Sequence, residues 1–440
     1  FRQNNLQDTY QMYHPGVSLM WTTSIISFIL FKFQLLFTNN PLTFENSDYF
    51  LQIHFLTKFI NVFILSILFV FQIFLISKLF NKKTSLIFGI FMVFEPYLIG
   101  INRWQHLTSY EVFFGFTSFL CALSFFKNYS KKYLILSAVL LSISILAKVT
   151  SVIFGFIITL LFLHQLFYKK EKKVKFTDLI LLVFITVLGI FILFPALWVS
   201  PVFVFNKMFS PIFNAITDNP RENHITGLME YFFYIINLSF KLSPLTLVLF
   251  LLSVPYSIKS KDFKIKATVL SIFIYYIFLT LTDQKIDRYS LVFFPYIILL
   301  MSNYISQLSN KILYLILSTI LIIYSYTFYI YHPVYSAYYS PLFGATKNAL
   351  NLGVYDNSGE YFAQAALYLK QKPRDTYVYV PNGFSSFNLY YNGLKQTAFD
   401  ENTNYVVTSY DMQRLDPTFV KCPILEKSFA SYFSGIITLY

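Results

Sequence analysis

The sequence predicts an α-helical polytopic membrane protein with about ten spans and a small C-terminal α/β domain. Hydrophobic residues make up 56% of the 440-residue chain, and charged residues only 12%. Several windows of about 18 to 22 residues carry almost no charge, and an α-helix needs about that length to cross a bilayer. From residue 334 onward the composition becomes that of a soluble domain.

Apolar runs place the spans near 57–79, 84–101, 110–127, 132–147, 150–168, 177–198, 242–258, 265–282, 289–305 and 311–332. The predicted organisation is a first external loop at 1–56, a transmembrane helical domain at 57–333 and an external cap domain at 334–440. Because the chain opens on Phe1 without a methionine, at least one more span is expected upstream.

The loops alternate in charge, and this alternation predicts the orientation. One set is rich in lysine: Lys78, Lys82, Lys83, Lys127, Lys131, Lys132, Lys169, Lys170, Lys172, Lys173, Lys175, Lys259, Lys261, Lys264, Lys266 and Lys311. The other set holds fewer cations: Arg103, Lys148, Lys207, Arg221, Lys241, Lys285 and Arg288. The positive-inside rule places the first set in the cytoplasm, so the protein is expected in the plasma membrane with the cap domain outside.

The apolar stretch 17–37 has two interpretations. Hydropathy alone favours a span, whereas Ser18, Thr22, Thr23 and Lys32 interrupt the apolar face in the way of a helix that lies along the outer surface. We prefer the surface helix. The long external loop 199–241 is also amphipathic and predicts a surface helix that covers a cleft.

Within the cap domain, periodic apolar residues predict a helix at 358–371, capped by Asp356, Asn357 or Ser358. Runs rich in valine, isoleucine and tyrosine predict strands at 376–380, 405–409 and 434–440.

The segment Glu95 to Glu111, EPYLIGINRWQHLTSYE, interrupts the apolar spans with charge. It predicts a polar hairpin at one mouth of the bilayer that carries Arg103 and His106. Ionisable groups at that depth are costly and indicate a functional site. The alternative is a solvated turn from which Arg103 reaches the lipid headgroups.

Further external cations favour an anionic ligand. Lys285, Arg288 and Tyr289 lie in the turn TDQKIDRY before a span, and Lys148 lies in the tight turn ILAKVTS. A phosphate at headgroup depth would satisfy arginine through paired hydrogen bonds and lysine as a point charge. The alternatives are ion pairs of Lys285 and Arg288 with Asp283 and Asp287, and a Lys148 that extends to water.

The net charge of +13 does not indicate nucleic acid, because the lysines cluster in the short loops. Cys121 and Cys422 differ too much in surroundings to predict a disulfide framework, and no zinc-ligand spacing occurs. Whether a divalent metal takes part is left open.

External carboxylates are Asp8, Glu45, Asp48, Glu95 and Glu111. Glu95, placed before Pro96 at the end of a span, is the most constrained, and its alternative role is an ion pair with Arg103. His14 precedes Pro15-Gly16, where a turn or packing role competes with a chemical one.

Four segments resemble the C-type glycosyltransferase (GT-C) superfamily, in the branch of dolichyl-phosphate-mannose protein mannosyltransferases and bacterial aminoarabinose transferases. They are TYQMYHPGVSLMW in the first external loop, EPYLIGINRWQH in the hairpin, KIDRYSLVFFP before a late span, and YYSPLFGATKNALNLG with YVVTSYDMQR in the tail. Their order and spacing cover nearly the whole chain.

The resemblance implies an inverting transfer of a sugar from a polyprenyl-phosphate donor to a hydroxyl of a protein, lipid or glycan outside the cytoplasm. It implies catalytic roles for Glu95 and His106, and phosphate binding by Arg103, Lys148, Lys285, Arg288 and Tyr289. Tyr10, Gln11 and His14 match the external-loop motif. The family's catalytic aspartate would lie upstream of Phe1, and Thr108 stands where many relatives have aspartate.

Three other functions remain open. One is a ligase that moves a whole glycan from a polyprenyl diphosphate, and another is a non-catalytic protein that binds lipid-linked sugar. A transporter is the third, although paired repeats and helices broken at the midplane, which transporters favour, are not evident in the sequence.

Overall fold

A computed structural model describes residues 6–10, 14–37, 47–168, 173–208, 227–282, 285–356, 359–373, 375–380, 385–396, 399–409, 426–429 and 437–439. The predicted Gln11, Glu45, Asp283 and the second half of the YVVTSYDMQR segment lie outside these residues, as does 209–226 of the long external loop.

Helices occupy every window predicted to span the membrane. The first eight are α1 (Val17–Leu35), α2 (Ser47–Leu79), α3 (Lys82–Phe94), α4 (Pro96–Asn102), α5 (Leu107–Asn128), α6 (Lys131–Ala147), α7 (Val152–Tyr168) and α8 (Phe176–Leu193). They are followed by α9 (Pro195–Val199), α10 (Leu228–Tyr231), α11 (Phe233–Lys241), α12 (Pro244–Lys259), α13 (Phe263–Leu281), α14 (Phe294–Ile305) and α15 (Asn310–Tyr331).

Seven of the described helices are long and apolar enough to cross a membrane, or eight if the bent pair α3–α4 counts as one span. Helix α1 is one of the seven, whereas α12 is apolar but shorter. Length and composition therefore indicate a multi-pass membrane protein, and the surface position of α1 stays a prediction.

The predicted span 84–101 is broken at Glu95, where α3 and α4 meet at 68°. Pro96 causes the break because its ring clashes with the preceding turn and because proline lacks the N–H of a continuous helix. The predicted hairpin is correspondingly shorter than expected: α4 continues to Asn102, α5 begins at Leu107, and Glu111 lies inside α5.

The chain divides into two units. The first comprises Phe1–Phe94, Ile101–Glu222 and Thr246–Ile316. Its central helix is α5, of which the whole apolar window is buried, packed against α2, α6 and α7. A helix in this position has every face in contact with protein, so polar residues on it must find partners there.

The second unit comprises Glu95–Gly100, Asn223–Leu245 and Leu317–Tyr440. It contains α16 (Ala345–Asn351), α17 (Phe362–Leu369), α18 (Ser385–Tyr390) and the strands β1 (Tyr377–Tyr379), β2 (Leu394–Gln396), β3 (Tyr405–Ser409), β4 (Lys427–Phe429) and β5 (Ile437–Leu439). The sheet order is β2-β1-β3-β5-β4. Strand β1 pairs in parallel with β2 and β3, and β5 pairs antiparallel with β3 and β4.

The predicted fold class, a helical membrane protein with a small C-terminal sheet, is confirmed. Strands occur within the three predicted windows, and α17 packs its apolar face, Phe362, Ala366 and Leu369, into a core with the strand residues Val378 and Val407. The two short strands β2 and β4 were not predicted. Helix α17 begins later than predicted, after Tyr361 rather than after a capping Asp, Asn or Ser.

Candidate functional site

Four segments of the first unit meet around His14 and His106. The loop before α1 is tied to the end of α6 by the Gly16 N–H, which donates to the Ala147 carbonyl at 3.2 Å, and by Ser18 Oγ, which donates to the Ile143 carbonyl at 2.6 Å. Lys148 follows directly. The charges of Lys148 and Arg288 act on both histidines. The external-loop motif, the hairpin, the α6–α7 junction and the turn before α14 therefore form one site.

His14 enters this site through the Pro15-Gly16 turn. Gly16 has φ of 65°, a left-handed conformation that glycine adopts without strain, and it turns the chain into α1. Burial, and then the charges of Lys148 and Arg288, lower the pKa of His14 from 6.5 to about 3. Within the described part of the chain, its Nδ1 is buried and has no hydrogen-bond partner. The lowered pKa makes the ring neutral, and no described residue binds this nitrogen.

His106 is the N-cap of α5, and its Nδ1 accepts a hydrogen bond from the Thr108 N–H at 3.1 Å. Burial, then Arg288, Lys148 and His14, lower the pKa of His106 from 6.5 to about 3. A neutral imidazole whose Nδ1 accepts carries its proton on Nε2. His106 therefore offers an N–H donor rather than a basic nitrogen.

Lys148 lies at the C-terminal end of α6 and is buried together with Glu111, with side chains 3% and 1% exposed. Its ammonium lies 3.2 Å from Glu111 Oε2 and 3.7 Å from the centre of the Tyr289 ring. Thr150 donates to Glu111 Oε1. Lys148 is therefore buried and does not extend to water, which was its alternative interpretation.

The sequence placed Glu111 among the external carboxylates but did not predict its ion pair with Lys148. The signal was present in the sequence, because Glu111 begins the predicted span 110–127 and Lys148 follows the predicted span 132–147. Both positions are at the ends of neighbouring predicted spans, on the side predicted to be outside, where opposite charges would pair.

The site combines a buried ion pair, two neutral histidines and an arginine. Glu111 balances Lys148, both histidines are neutral, and Arg288 is half-buried beside them. Arg288 and the His106 N–H together suit the oxygens of an anion.

The contacts described for Lys285 are with the end of a helix. Its ammonium donates to the carbonyls of Leu279, Thr280 and Thr282 at 3.0, 2.5 and 2.6 Å. Three contacts match the three N–H donors of an ammonium group, and they satisfy the carbonyls at the end of α13. The contacts described for Lys285 are thus those of a helix cap.

Arg103 is exposed and lies near α2, where its charge acts on Lys58. Tyr10 contacts the Phe203 ring edge-on, with ring centres 6.2 Å apart, and packs on the apolar cluster that includes Val17 and Phe194. In the described part of the chain, no group of three or more His, Cys, Asp or Glu side chains could hold a metal ion.

Glu95 belongs to the second unit and is fully buried. Its carboxylate accepts hydrogen bonds from the Ser243 N–H at 2.6 Å, the Ser243 hydroxyl at 3.2 Å and the Tyr324 hydroxyl at 2.9 Å. In the same unit, the ammonium of Lys241 lies over the rings of Tyr97 and Tyr339 at 4.2 and 3.5 Å. The predicted catalytic role of Glu95 stays a prediction.

Comparison with known proteins was informative only at the level of structure. No family model matches the sequence, and neither does any curated protein. The aminoarabinose transferase ArnT from Cupriavidus metallidurans matches in its apo form with a TM-score of 0.53, over 98% of this chain and 88% of ArnT at 12% identity. Its structure bound to undecaprenyl phosphate matches with a TM-score of 0.51, over 96% and 87% at 12% identity.

An oligosaccharyltransferase from Archaeoglobus fulgidus matches over 92% of this chain and 63% of its own, at 12% identity and a TM-score of 0.46, which is too low to support an argument. The two ArnT matches confirm the expected resemblance at the level of architecture: the chain has a fold similar to that of ArnT.

Proposed function

We propose that the protein is a membrane glycosyltransferase that moves a sugar from a polyprenyl-phosphate donor to a hydroxyl acceptor on the non-cytoplasmic face. The observation that carries this proposal is the meeting of His14, His106, Lys148 and Arg288 in one site. The fold supports it, because the ArnT of similar architecture was solved with undecaprenyl phosphate.

The charge of the site favours a monophosphate donor. A sugar linked to a polyprenol through one phosphate is a phosphodiester with a single negative charge, whose oxygens suit the paired hydrogen bonds of a guanidinium such as that of Arg288. A polyprenyl diphosphate carries one charge more, and Lys148 cannot balance it fully because Glu111 already neutralises this lysine. This argument ranks the monophosphate-dependent transferase above the ligase.

In the proposed reaction, the acceptor oxygen attacks the anomeric carbon opposite the phosphate, so the configuration inverts. The bond from that carbon to the phosphate oxygen breaks, and polyprenyl phosphate leaves with the bonding electrons. The acceptor proton passes to a carboxylate base. Arg288 and the Nε2–H of His106 bind the phosphate oxygens, where they stabilise the charge that develops on the leaving group.

The test is transfer by the full chain in lipid nanodiscs, with a radiolabelled polyprenyl-phosphate sugar and an extract of acceptors. Arg288→Ala should abolish both transfer and the binding of polyprenyl phosphate. Lys207→Ala is the matched control, because Lys207 is an exposed cation of the external loops. Undiminished binding and transfer by Arg288→Ala would refute the proposed site.

A further inference from the structure

Helix α2 carries a polar face near its N-terminal end. His54, Thr57, Lys58 and Asn61 follow one another at intervals of three, one and three residues. This spacing places all four on one side of a helix. The candidate span that begins at Tyr49 is otherwise apolar over this stretch, so the four residues form a distinct polar stripe.

The polar stripe faces α1 and the start of α5. The Tyr110 hydroxyl donates to Asn61 Oδ1 at 2.7 Å and also interacts with Thr22 of α1. Gln105 joins the same group, because its Nε2 donates to Thr23 Oγ1 at 2.8 Å and its side chain interacts with His54. Three elements of the first unit therefore surround the stripe with hydroxyl and amide groups.

Lys58 gives the stripe its charge. It is half-buried, the positive charge of Arg103 acts on it, and no ion pair or hydrogen bond of Lys58 occurs among the residues described. Lys78 on the same helix lies 20 residues further on, about 30 Å along an α-helix, which matches the thickness of the hydrocarbon layer. Lys58 therefore lies at the outer boundary of that layer, where headgroups and water-soluble groups reach it.

Two buried atoms of the stripe have unused hydrogen-bonding capacity. Among the described residues, Thr57 Oγ1 and Asn61 Nδ2 have no hydrogen-bond partner, in residues that are 0% and 2% exposed. A lysine that only extended to the headgroups would not require such groups around it. Buried polar atoms without partners are uncommon and cost free energy, so they point to a ligand that supplies the missing bonds.

The stripe and the proposed phosphate site around His14 and His106 involve different cations. Lys148 and Arg288 act on His14 and His106, whereas Arg103 acts on Lys58. The hairpin between α4 and α5 thus supplies His106 to one group and Arg103 to the other.

We propose that the polar stripe, with Arg103, binds an acidic sugar unit of the acceptor. The cations would bind its phosphate or carboxylate, and the hydroxyl and amide groups its hydroxyls. This inference depends on the proposed function for the role of the ligand as acceptor, but the binding itself can be measured without any transfer.

The test is calorimetric binding of glucose 6-phosphate, glucuronate and glucose to the full chain in nanodiscs. Wild type should bind both acidic sugars at least tenfold more tightly than glucose, and the stronger of the two identifies the acidic group as phosphate or carboxylate. Lys58→Met should lower that affinity about tenfold or more, because it removes a contact with the charged group. Thr57→Val should lower it a few-fold, because it removes a hydrogen bond between neutral groups. Lys78→Met is the matched control, because Lys78 is an exposed lysine near the other end of α2.

Polyprenyl phosphate binding separates this inference from the proposed function. Lys58→Met should retain it, whereas Arg288→Ala should lose it and still bind the acidic sugars. Equal affinity of the wild type for glucose and for both acidic sugars would overturn the inference. So would a Lys58→Met variant that folds and binds polyprenyl phosphate normally and still binds the acidic sugars as tightly as wild type.

Discussion

At the scale of single residues, the site depends on a buried ion pair. Glu111 and Lys148 are nearly inaccessible to solvent, and each is the other's counterion at 3.2 Å. Such a pair adds little net stability compared with apolar residues, but the loss of one member leaves an uncompensated charge. The pair therefore fixes Lys148 beneath Tyr289 more than it stabilises the fold.

We predict that Glu111→Gln lowers the free energy of unfolding by about 3 to 5 kcal/mol, because Lys148 would remain charged and buried without its partner. The double variant Glu111→Leu with Lys148→Met should recover much of this loss. Thermal and denaturant unfolding in detergent would measure both. Glu426→Gln, which removes one side of the more exposed pair with Lys372, is the control and should change stability little. If Glu111→Leu and Lys148→Met, made singly, had effects that added up to that of the double variant, the pairing would be contradicted.

The histidines predict how stability depends on pH. His14 and His106 have pKa values lowered from 6.5 to about 3, so the folded chain binds fewer protons than the unfolded chain between these limits. Stability should fall as the pH drops from 6.5 towards 3, by about 1.4 kcal/mol per pH unit for each histidine. His14→Asn should make this fall shallower, as measured by unfolding at a series of pH values, whereas His164→Asn at an exposed position should not. An unchanged slope in His14→Asn would mean that its ring is already accessible to protons.

The sequence identified the site residues better than their roles. His14, His106, Lys148 and Arg288 could be proposed because charge on the outer side of a membrane is unusual and because the motifs resemble a family. Their partners could not, since the contact of Lys148 with Glu111 joins different helices and depends on side-chain packing. Lys285 shows the same limit, because its position before a span suits phosphate binding and helix capping equally well.

At the scale of elements, Lys285 ends α13. Its three bonds to carbonyls add hydrogen-bond partners and a positive charge at the negative end of the helix. We predict that Lys285→Met lowers the stability by about 1 to 2 kcal/mol. It should also leave the affinity for polyprenyl phosphate within about twofold of wild type, in contrast to Arg288→Ala. A large loss of lipid affinity without a change in stability would instead place Lys285 at the phosphate.

Close packing of α5 on α7 depends on Gly115. A Cβ atom at this position would overlap the buried ring of Phe154, which also packs against the rings of Tyr275 and Tyr296. We predict that Gly115→Ala costs about 1 to 3 kcal/mol, because the ring has no space to move. Gly155→Ala on α7 is the matched control, since its Cβ would lie at an ordinary 3.4 Å from Leu141. Thermal unfolding of both variants would check this, and equal stabilities would show that Phe154 can reposition.

Apolar periodicity was sufficient to place the helices, because each predicted span window contains one. It could not fix their ends. His106 caps α5 with its ring, a role that the preference of N-caps for Ser, Thr, Asp and Asn does not indicate. Short strands such as Leu394–Gln396 were missed because three residues give too little pattern to detect.

At the scale of the whole molecule, the distribution of charge predicts an orientation. The lysine-rich loops and the loops that carry the candidate site alternate along the chain, so the predicted topology puts them on opposite sides of the membrane. The site and the C-terminal sheet are expected outside the cytoplasm, where a lipid-linked sugar would meet an exported acceptor.

We predict that a cysteine at Asn392, exposed beside β2, reacts with a membrane-impermeant maleimide in intact cells. A cysteine at Ser260, between α12 and α13 among lysines of the first set, should react only after the membrane is permeabilised. Both variants would carry Cys121→Ala and Cys422→Ser, so that each label reports one position. Because three predicted spans separate the two positions, the two results are expected to be opposite, and labelling of both on the same side would contradict the predicted topology. The reverse pattern would put the histidines, Lys148 and Arg288 in the cytoplasm, and the donor would then have to be bound from the inner leaflet.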